Sequence, residues 1–374
     1  MAENVDKPKV IIFGGSGFIG RNLVEYLITN ELVSRLRVVD KVPPQIAWLN
    51  KRHQDIFNDY LVEFRSVNLI IQGAAELAFE NGDFDYAINC AGETKLGQTD
   101  QVYEEGVYKV SVNCASAAAK HGVKRFLEIS SGQIDSNEKV EHKESDQVKP
   151  WTKVAKYKLQ VESDLKTIPG LKYTVIRPAI VYGIGDRTGL TPRLVLGCIY
   201  QHLGESMKLL WSRDLVMNTV HVHDVCCALW YLIQRDDTVG QVYNVVDDSH
   251  TTQGSVTEII SDIFNINYDY YGNILSSLCK LIRVQGDLSV VVDEANDKHM
   301  GPWADLCRLN NVENTPLSPY IHQELLDKKH LNLSNEKLKA TGFTLTQPVL
   351  TKQLLLQVID DLTEMKLFPK TMST

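Results

Sequence analysis

Short apolar runs alternate with amphipathic stretches through the first half of the chain. The first run covers 10–13. The stretch after it has one apolar face with helical spacing, made of Leu23, Val24, Leu27 and Ile28. Further apolar runs predict strands at 36–39, 61–67, 85–90, 126–129 and 173–176, and an alanine-rich stretch predicts a helix at 107–121. This alternation predicts an α/β fold with a parallel, doubly wound sheet and right-handed crossovers.

A glycine-rich turn at residues 14–20 joins the first strand to the helix and reads Gly-Gly-Ser-Gly-Phe-Ile-Gly. Gly14 permits the tight turn, Gly17 lets the backbone approach a pyrophosphate, and Gly20 lets the helix pack on the strand. The helix N-terminus presents free N–H groups and its positive dipole to the phosphates. The turn therefore predicts a dinucleotide site, and a glycine turn without a cofactor is the alternative.

Asp40 ends the second predicted strand, twenty residues after Gly20. A carboxylate at this position accepts hydrogen bonds from the ribose hydroxyls of the adenosine and repels a 2′-phosphate. Lys41 and Arg21 lie close enough in sequence to weaken that preference. We therefore expect NAD as the cofactor, with NADP less favoured.

The composition argues against several classes of protein. The 374 residues carry a formal net charge of −8, whereas a sequence-independent nucleic-acid binder needs a basic face. The N-terminus has no signal-peptide apolar run and no stretch approaches eighteen apolar residues, so we expect no membrane span. The seven cysteines are scattered without zinc spacing, which favours reduced thiols, no metal site and a cytoplasmic location.

Further motifs follow the glycine turn in a fixed order. They are Ala91-Gly92, 122–126 leading to Ser130-Ser131, 158–162, 177–183, 220–225 and 242–245. With the glycine turn and Asp40, this order resembles the short-chain dehydrogenase/reductase superfamily, and most closely its extended and atypical branch of NAD-dependent epimerases and dehydratases. The resemblance implies a Rossmann-like fold and a dinucleotide bound by Gly14, Gly17, Phe18, Ile19, Gly20, Asp40, Asn68, Ala91, Gly92, Lys158 and Pro178.

The resemblance also implies catalysis by a tyrosine and by a lysine four residues later, with a serine or threonine that orients the substrate oxygen. Lys158 matches the lysine, but the tyrosine position, four residues after Pro150, holds Val154. None of the fifteen tyrosines has a lysine four residues later. Tyr157 is the alternative proton donor, although it lies about 100° around the helix from Lys158. Ser131 matches the hydroxyl position.

Other positions of the family pattern also differ. The family's asparagine before the central helix aligns with Val107, and the arginine that contacts the diphosphate in nucleotide-sugar enzymes aligns with Met217. Arg187 and Arg193, in the preceding loop, are the alternative contacts for an anionic group. Nucleotide-sugar specificity therefore has weak support in the sequence.

The motif at 220–225 contains two histidines and an aspartate. His221 and His223 lie two residues apart in a predicted short strand, so we expect them to face opposite sides and to share no metal. Asp224 is expected to cap the helix that follows.

Two lobes are predicted. A Rossmann-like NAD-binding domain covers 1–180 plus 216–248, and a smaller α/β lobe for a substrate or a partner covers 181–215 plus 249–374. A small-molecule ligand is expected in the cleft between the lobes. Segment 269–330 is interpreted as core of the small lobe or as a surface for self-association or a protein partner. Its apolar stripe is Ile274, Leu275, Leu278, Leu281 and Ile282.

Two functions fit these observations. Val154 favours a pseudoenzyme, an NAD-binding protein with a structural or regulatory role. The alternative is an NAD-dependent oxidoreductase, epimerase or dehydratase that acts on a small polar, sugar-like substrate through an atypical proton donor. The cofactor residues fit both functions, so the sequence leaves open whether the chain is an enzyme.

Overall fold

The structure is a computed structural model that describes residues 7–135, 137–272, 289–322, 324 and 329–370. Its strands are β1 (Lys9–Phe13), β2 (Arg35–Asp40), β3 (Val62–Ser66), β4 (Tyr86–Asn89), β5 (Arg125–Ile129), β6 (Tyr173–Pro178), β7 (Ile180–Tyr182), β8 (Met207–Leu209), β9 (Thr219–His221), β10 (Val242–Val245) and β11 (Tyr268–Tyr270). Its α-helices are α1 (Phe18–Thr29), α2 (Lys51–Phe57), α3 (Ala74–Leu77), α4 (Asp100–Tyr103), α5 (Val110–Lys120), α6 (Lys153–Leu165), α7 (Thr191–Leu203), α8 (Val222–Ile233), α9 (Gln253–Phe264), α10 (Ser289–Leu309), α11 (Glu336–Ala340) and α12 (Lys352–Glu364).

Seven parallel strands form the central sheet in the order β10-β6-β5-β4-β1-β2-β3. The chain runs from β1 through β2 to β3 and then returns to β4 on the other side of β1. The strand order therefore reverses between β1 and β4, and ligands of such sheets bind at the carboxyl ends of the strands at this reversal. The predicted doubly wound α/β fold is confirmed.

Helices cover both faces of the sheet, which explains why its inner strands β1 and β4 are apolar runs, whereas the edge strand β3 alternates apolar and polar residues. On one face α1 and α8 pack through side chains such as Leu23 and Leu229. On the other face α5 and α6 pack through Ala115 and Val161. All five residues of β5 are buried, so any charged group on this strand must find its partners inside the protein.

A second core forms away from the sheet. Four helices, α7, α9, α10 and α12, contribute to it Leu194, Ile260, Trp303 and Leu355. Segment 331–343 instead packs Leu331, Leu333, Leu338 and Phe343 into the core against the sheet. The division of the chain into the two lobes given above stays a prediction.

The central helix differs from its predicted extent. Helical structure begins at Asp100 after Thr99, whose side chain accepts a hydrogen bond from the backbone N–H of Val102. Between α4 and α5 the chain forms a π-helix over Glu104–Lys109. The carbonyl of Gly106 in this turn accepts a hydrogen bond of 2.9 Å from the N–H of Glu93. The predicted helix at 107–121 is therefore confirmed over Val110–Lys120, whereas residues 107–109 belong to the π-helix.

The segment predicted as core or partner surface is only partly described. Its apolar stripe from Ile274 to Ile282 lies outside the described residues. In the described part, Leu306 and Cys307 are buried in the second core, whereas Leu309 and Tyr320 are exposed. A partner surface in 269–330 stays a prediction. No helix in the described ranges is both long and apolar enough to cross a membrane.

Candidate cofactor site

The glycine turn brings the end of β1 against the end of β4. Gly14 has a φ of 73°, and a Cβ atom there would lie 2.5 Å from Ala91 Cα. A Cβ at Gly20 would lie 2.4 Å from the carbonyl oxygen of Gly14. Both positions therefore require glycine. Helix α1 follows Gly17 without a side-chain cap, so no capping side chain occupies the N–H groups of its first turn, and these groups can bind an anion.

Asp40 lies at the carboxyl end of β2 with both carboxylate oxygens held by backbone. Oδ2 accepts a hydrogen bond of 3.1 Å from the Ser16 N–H, and Oδ1 accepts one of 3.0 Å from the Val42 N–H. Burial raises the pKa of Asp40, and these two hydrogen bonds act in the opposite direction. The carboxylate is thus fixed where the adenosine ribose is expected.

Arg21 supports the turn instead of facing the ligand. Its buried guanidinium donates to the carbonyls of Ser16, Ala47 and Trp48 at 2.5–2.6 Å. It therefore joins the glycine turn to the loop after β2 and is not available to bind a 2′-phosphate. The sequence expectation that Arg21 weakens the preference for NAD is wrong for this reason.

A cavity of about 540 Å³ opens at the reversal of strand order. This volume is typical of ligand sites. Six of the predicted cofactor residues line it: Gly14, Gly17, Asp40, Asn68, Ala91 and Gly92. The Oγ atom of Ser16 is buried at its wall and has no hydrogen-bond partner among the described residues. An unpartnered hydroxyl beside bare helix N–H groups fits the phosphates of a dinucleotide.

The other predicted cofactor residues do not line this cavity. Phe18, Ile19 and Gly20 form the first turn of α1. Pro178 ends β6 next to Gly132, whose ideal Cβ would lie 3.0 Å from the Pro178 carbonyl oxygen. Lys158 lies closer, because a Cβ at Gly92 would be 3.6 Å from its Nζ atom.

Lys158 is buried in an ion pair that the sequence did not predict. Its Nζ lies 2.9 Å from Glu128 Oε1, and the two residues are 6% and 0% exposed. Ser111 Oγ also donates to Oε1, at 2.8 Å, and Asn89 Nδ2 donates to Oε2, at 2.7 Å. The carboxylate of Glu128 is thereby fully satisfied, and it competes with any ribose for the lysine ammonium.

Tyr157, the alternative proton donor, does not line the cofactor cavity, and its catalytic role stays a prediction. Its ring stacks on Tyr103 with ring centroids 6.4 Å apart. Partial burial and the carboxylates of Asp100 and Glu104 raise its pKa. A general base needs the opposite shift, toward the operating pH. The half-buried side chain of Val154 occupies the family's tyrosine position and has no proton to exchange.

Ser131 remains the available hydroxyl near the end of β5. It is half-buried, and its Oγ accepts a hydrogen bond of 3.2 Å from the Gln133 N–H. Within the described ranges it donates to no acceptor. Ser130 next to it donates to Glu162 at 2.5 Å, and Glu162 also binds the guanidinium of Arg177. Ser131 can therefore orient a substrate oxygen, whereas Ser130 is committed to a buried network.

The two alternative arginines lie in different places. Arg187 lines the cofactor cavity. Arg193, in the first turn of α7, places Nη2 3.2 Å from the Met217 sulfur, at the position where the family has its diphosphate-binding arginine. Burial lowers the pKa of Arg193, and within the described residues it makes no ion pair.

The histidine motif differs from its prediction. His221 ends β9 and caps α8, because its Nδ1 accepts a hydrogen bond of 3.3 Å from the His223 N–H. The expectation that Asp224 caps this helix is wrong. Its carboxylate is buried and accepts hydrogen bonds from the N–H groups of Thr346 and Gln347, which anchors the C-terminal segment. His223 lies in α8 rather than in a strand.

The sequence did not predict that Glu105 and Gly106 of the π-helix line the cavity, nor that Arg187 does. In the sequence, Gly106 is a weak indication that the α-helix is interrupted here, because glycine is unfavourable inside an α-helix. π-helical turns often occur at functional sites.

A sequence profile of the NAD dependent epimerase/dehydratase family matches residues 10–245. The match covers more than half of the chain, and the chain belongs to this family. The family is NAD-dependent, which confirms the expected type of cofactor.

Two relatives share a low sequence identity with the chain. It is 24% identical over 258 residues to the mitochondrial NADH-ubiquinone oxidoreductase 40 kDa subunit of Neurospora crassa, over 67% of this chain and 58% of that protein. It is 27% identical over 272 residues to the decarboxylating sterol-4-alpha-carboxylate 3-dehydrogenase of Candida albicans, over 67% of this chain and 73% of that protein. The chain thus spans little more than half the length of the Neurospora subunit.

Solved structures match over almost the whole chain. UDP-glucose 4-epimerase of Thermus thermophilus in complex with NAD matches with a TM-score of 0.67 and 19% identity, covering 95% of this chain and 99% of that one. UDP-N-acetylglucosamine 4-epimerase of Methanobrevibacter ruminantium in complex with UDP-N-acetylmuramic acid matches with a TM-score of 0.68 and 18% identity. This match covers 96% of this chain and 99% of that one. At these identities the likeness shows the fold.

Proposed function

We propose that the chain is an NAD-dependent oxidoreductase, epimerase or dehydratase that acts on a small polar substrate in the cleft beside the cofactor cavity. The observation that carries this proposal is the cavity at the strand reversal, where the glycine turn and Asp40 are both held in position for a dinucleotide. Family membership supports it. The Candida relative, a dehydrogenase by name, supports redox chemistry at a hydroxyl-bearing carbon.

Different residues of the site take different parts in this chemistry. Gly14, Gly17 and Asp40 would hold the dinucleotide, which would supply hydride transfer to or from a carbon that bears the substrate oxygen. Ser131 orients the substrate oxygen through its free hydroxyl. Val154 has no titratable group, so the proton of the substrate hydroxyl leaves to water. The expected rate is therefore low, because a positioned acid or base contributes about 10²–10⁴-fold.

A sugar-like substrate is the more specific form of this proposal. The Thermus and Methanobrevibacter neighbours are nucleotide-sugar epimerases by name. In this chain Arg193 lies against Met217 and has no carboxylate partner within the described ranges. Its guanidinium can receive an anionic group of a substrate. The cytoplasmic location expected from the sequence stays a prediction.

A second candidate is a protein that binds NAD without turnover. The specific observations in its favour are Val154 and the pairing of Lys158 with Glu128, which engages the ammonium that the resemblance assigns to the cofactor ribose. The cofactor would then stabilise the fold or report the redox state of the cell. Both candidates require NAD binding, and they differ only in hydride transfer.

Hydride transfer can be tested directly. Nucleotide-free protein is loaded with NAD and incubated with UDP-glucose, UDP-N-acetylglucosamine and a set of simple sugars and hydroxy acids. NADH fluorescence reports net oxidation, and mass spectrometry with chromatography reports epimerised or dehydrated product. Formation of either supports the enzyme. NAD binding without fluorescence change or product for any compound, while a family epimerase converts its substrate in parallel, favours the non-catalytic candidate.

A further inference from the structure

Arg187 is a cation in the cofactor cavity without a hydrogen-bond or ion-pair partner among the described residues. It lines the same cavity as Gly14, Ser16 and Gly17. Within the described part of the chain it forms neither an ion pair nor a hydrogen bond. It is only partly exposed, and burial lowers its pKa. A partly desolvated guanidinium without a counter-ion is costly for the folded protein. A bound ligand that supplies the anion offsets this free-energy penalty.

The charge of the adjacent Asp186 partly opposes the effect of burial on the pKa of Arg187, but among the described residues the two side chains form no ion pair. Asp186 is 1% exposed, and its carboxylate accepts hydrogen bonds from the N–H groups of Gly189, Leu190 and Thr191 at 2.7–2.9 Å. All of its acceptor capacity is directed to the turn that leads into α7. This turn is therefore rigid, and it fixes the backbone from which Arg187 extends.

The preceding residues attach this turn to the first turns of α1. Asn22 Nδ2 donates a hydrogen bond of 2.9 Å to the Ile184 carbonyl. A Cβ at Gly185 would lie 3.4 Å from Arg21 Cδ and 3.6 Å from Phe18 Cδ2. Arg187 therefore enters the cavity from the side of the uncapped N-terminus of α1. The other cation that lines the cavity, Lys41, follows Asp40 and lies at the ribose end.

We propose that Arg187, together with the Ser16 hydroxyl, binds the diphosphate of the dinucleotide beside the N–H groups at the start of α1. This inference rests on the NAD site proposed above and adds two side-chain contacts to those of the backbone. Arg187 belongs to segment 181–215, which the sequence assigns to the smaller lobe. The same contact thus links the cofactor to that lobe.

The test compares wild type with Arg187→Gln and with Arg308→Gln, which removes an exposed arginine on α10 as a matched control. Dissociation constants for NAD, NADP and ADP-ribose are measured by calorimetry, and adenosine is measured by ligand-observed NMR. Loss of a charge-assisted hydrogen bond predicts that Arg187→Gln binds NAD and ADP-ribose about 10- to 100-fold more weakly. Adenosine, which lacks the diphosphate, should bind equally to all three proteins.

The same variant provides a control for folding. Because Arg187 has no hydrogen-bond or ion-pair partner in the described part of the chain, Arg187→Gln should unfold without ligand at the same temperature as wild type or higher, and only the stabilisation by NAD should decrease. Unchanged NAD affinity in Arg187→Gln overturns the inference and leaves the proposed function intact. An equal loss for adenosine, or a loss confined to NADP, also overturns the assignment to the diphosphate. If wild type binds none of the four ligands, the proposed function fails with it.

Discussion

Glu128 holds the ammonium of Lys158 at 2.9 Å inside the protein, and this ammonium lies against Gly92 at the wall of the cofactor cavity. In the family that this chain resembles, the lysine works with a tyrosine that is here Val154. Both differences therefore affect Lys158: the tyrosine that would work with it is absent, and a buried carboxylate binds its ammonium. The lysine is retained with an internal partner, and its function in this chain depends on whether that partner releases it.

The first prediction concerns the stability of this pair. Glu128→Gln and Lys158→Met each leave one buried polar partner uncompensated, so each should lower the free energy of unfolding by about 3–5 kcal/mol. The double variant removes both charges and should lose clearly less than the sum. Urea unfolding of the four proteins measures this coupling. Additive losses would show that the two groups do not interact and would contradict the structure.

The second prediction concerns proton exchange. Val154→Tyr places a phenol four residues before Lys158 on the same helical face. With a substrate that the wild type turns over slowly, the variant should be faster, by up to about 10²–10⁴-fold, and its rate should increase toward alkaline pH. Val154→Phe is the matched control, because it adds the ring without the hydroxyl. Equal rates in both variants would argue against a degenerate tyrosine site.

The effect of Glu128 on this gain is a further part of the same test. If Glu128 withholds the lysine, the combination of Val154→Tyr with Glu128→Gln should exceed Val154→Tyr alone, provided that the double variant remains folded by circular dichroism. A smaller rate in the folded double variant would mean that Glu128 positions Lys158 for its role.

The third prediction concerns the choice of cofactor. Asp40→Asn removes the charge that accepts the ribose hydroxyls and repels a 2′-phosphate, so NAD should bind about 10- to 100-fold more weakly. The affinity for NADP should fall less or rise, because Lys41 then faces the 2′-phosphate without an acidic neighbour. Calorimetry with both dinucleotides measures the ratio. An unchanged ratio would place the ribose away from Asp40.

The fourth prediction concerns pH. Burial raises the pKa of Asp135 to about 6, and among the described residues only one of its oxygens has a partner, Arg177 Nη1 at 3.2 Å. Between about pH 4 and 6 the folded protein therefore binds more protons at this group than the unfolded chain, so its contribution to stability is present at low pH and is lost as the pH rises through 6.

Asp135→Asn tests this assignment. Because the pKa of His221 is lowered to about 4, that group acts in the opposite direction in an overlapping window, and the difference between wild type and variant is the informative quantity. The variant should gain stability relative to wild type as the pH rises from 5 to 7. A difference that does not change with pH would exclude a raised pKa at Asp135.

The sheet and the phosphate end of the site could be predicted from the sequence because their signals are local. The glycine turn, Asp40 and the Ala91-Gly92 strand end each lie at the end of an apolar run, and the topology of the sheet brings such ends together. Five residues of these segments, Gly14, Gly17, Asp40, Ala91 and Gly92, line one cavity together with Asn68.

The contacts between distant segments could not be predicted in this way. Glu128 and Lys158 are thirty residues apart, and β5 carries its glutamate inside an otherwise apolar run. Asp224 has the type and position of a helix cap, but its partners lie more than a hundred residues later in the chain. Whether Asp224 caps its own helix or anchors the C-terminal segment therefore depends on the tertiary packing.

The most direct test of the central claim is thermal unfolding of the nucleotide-free protein with NAD, NADH, NADP and NADPH, each titrated separately. At a hundred times its dissociation constant a ligand stabilises the folded state by about 2.7 kcal/mol, which raises the unfolding midpoint by a few degrees. We predict this shift with NAD and NADH, at lower concentrations than with NADP and NADPH. No shift with any of the four would contradict the cofactor site, and a shift with NADP and NADPH alone would contradict the role of Asp40.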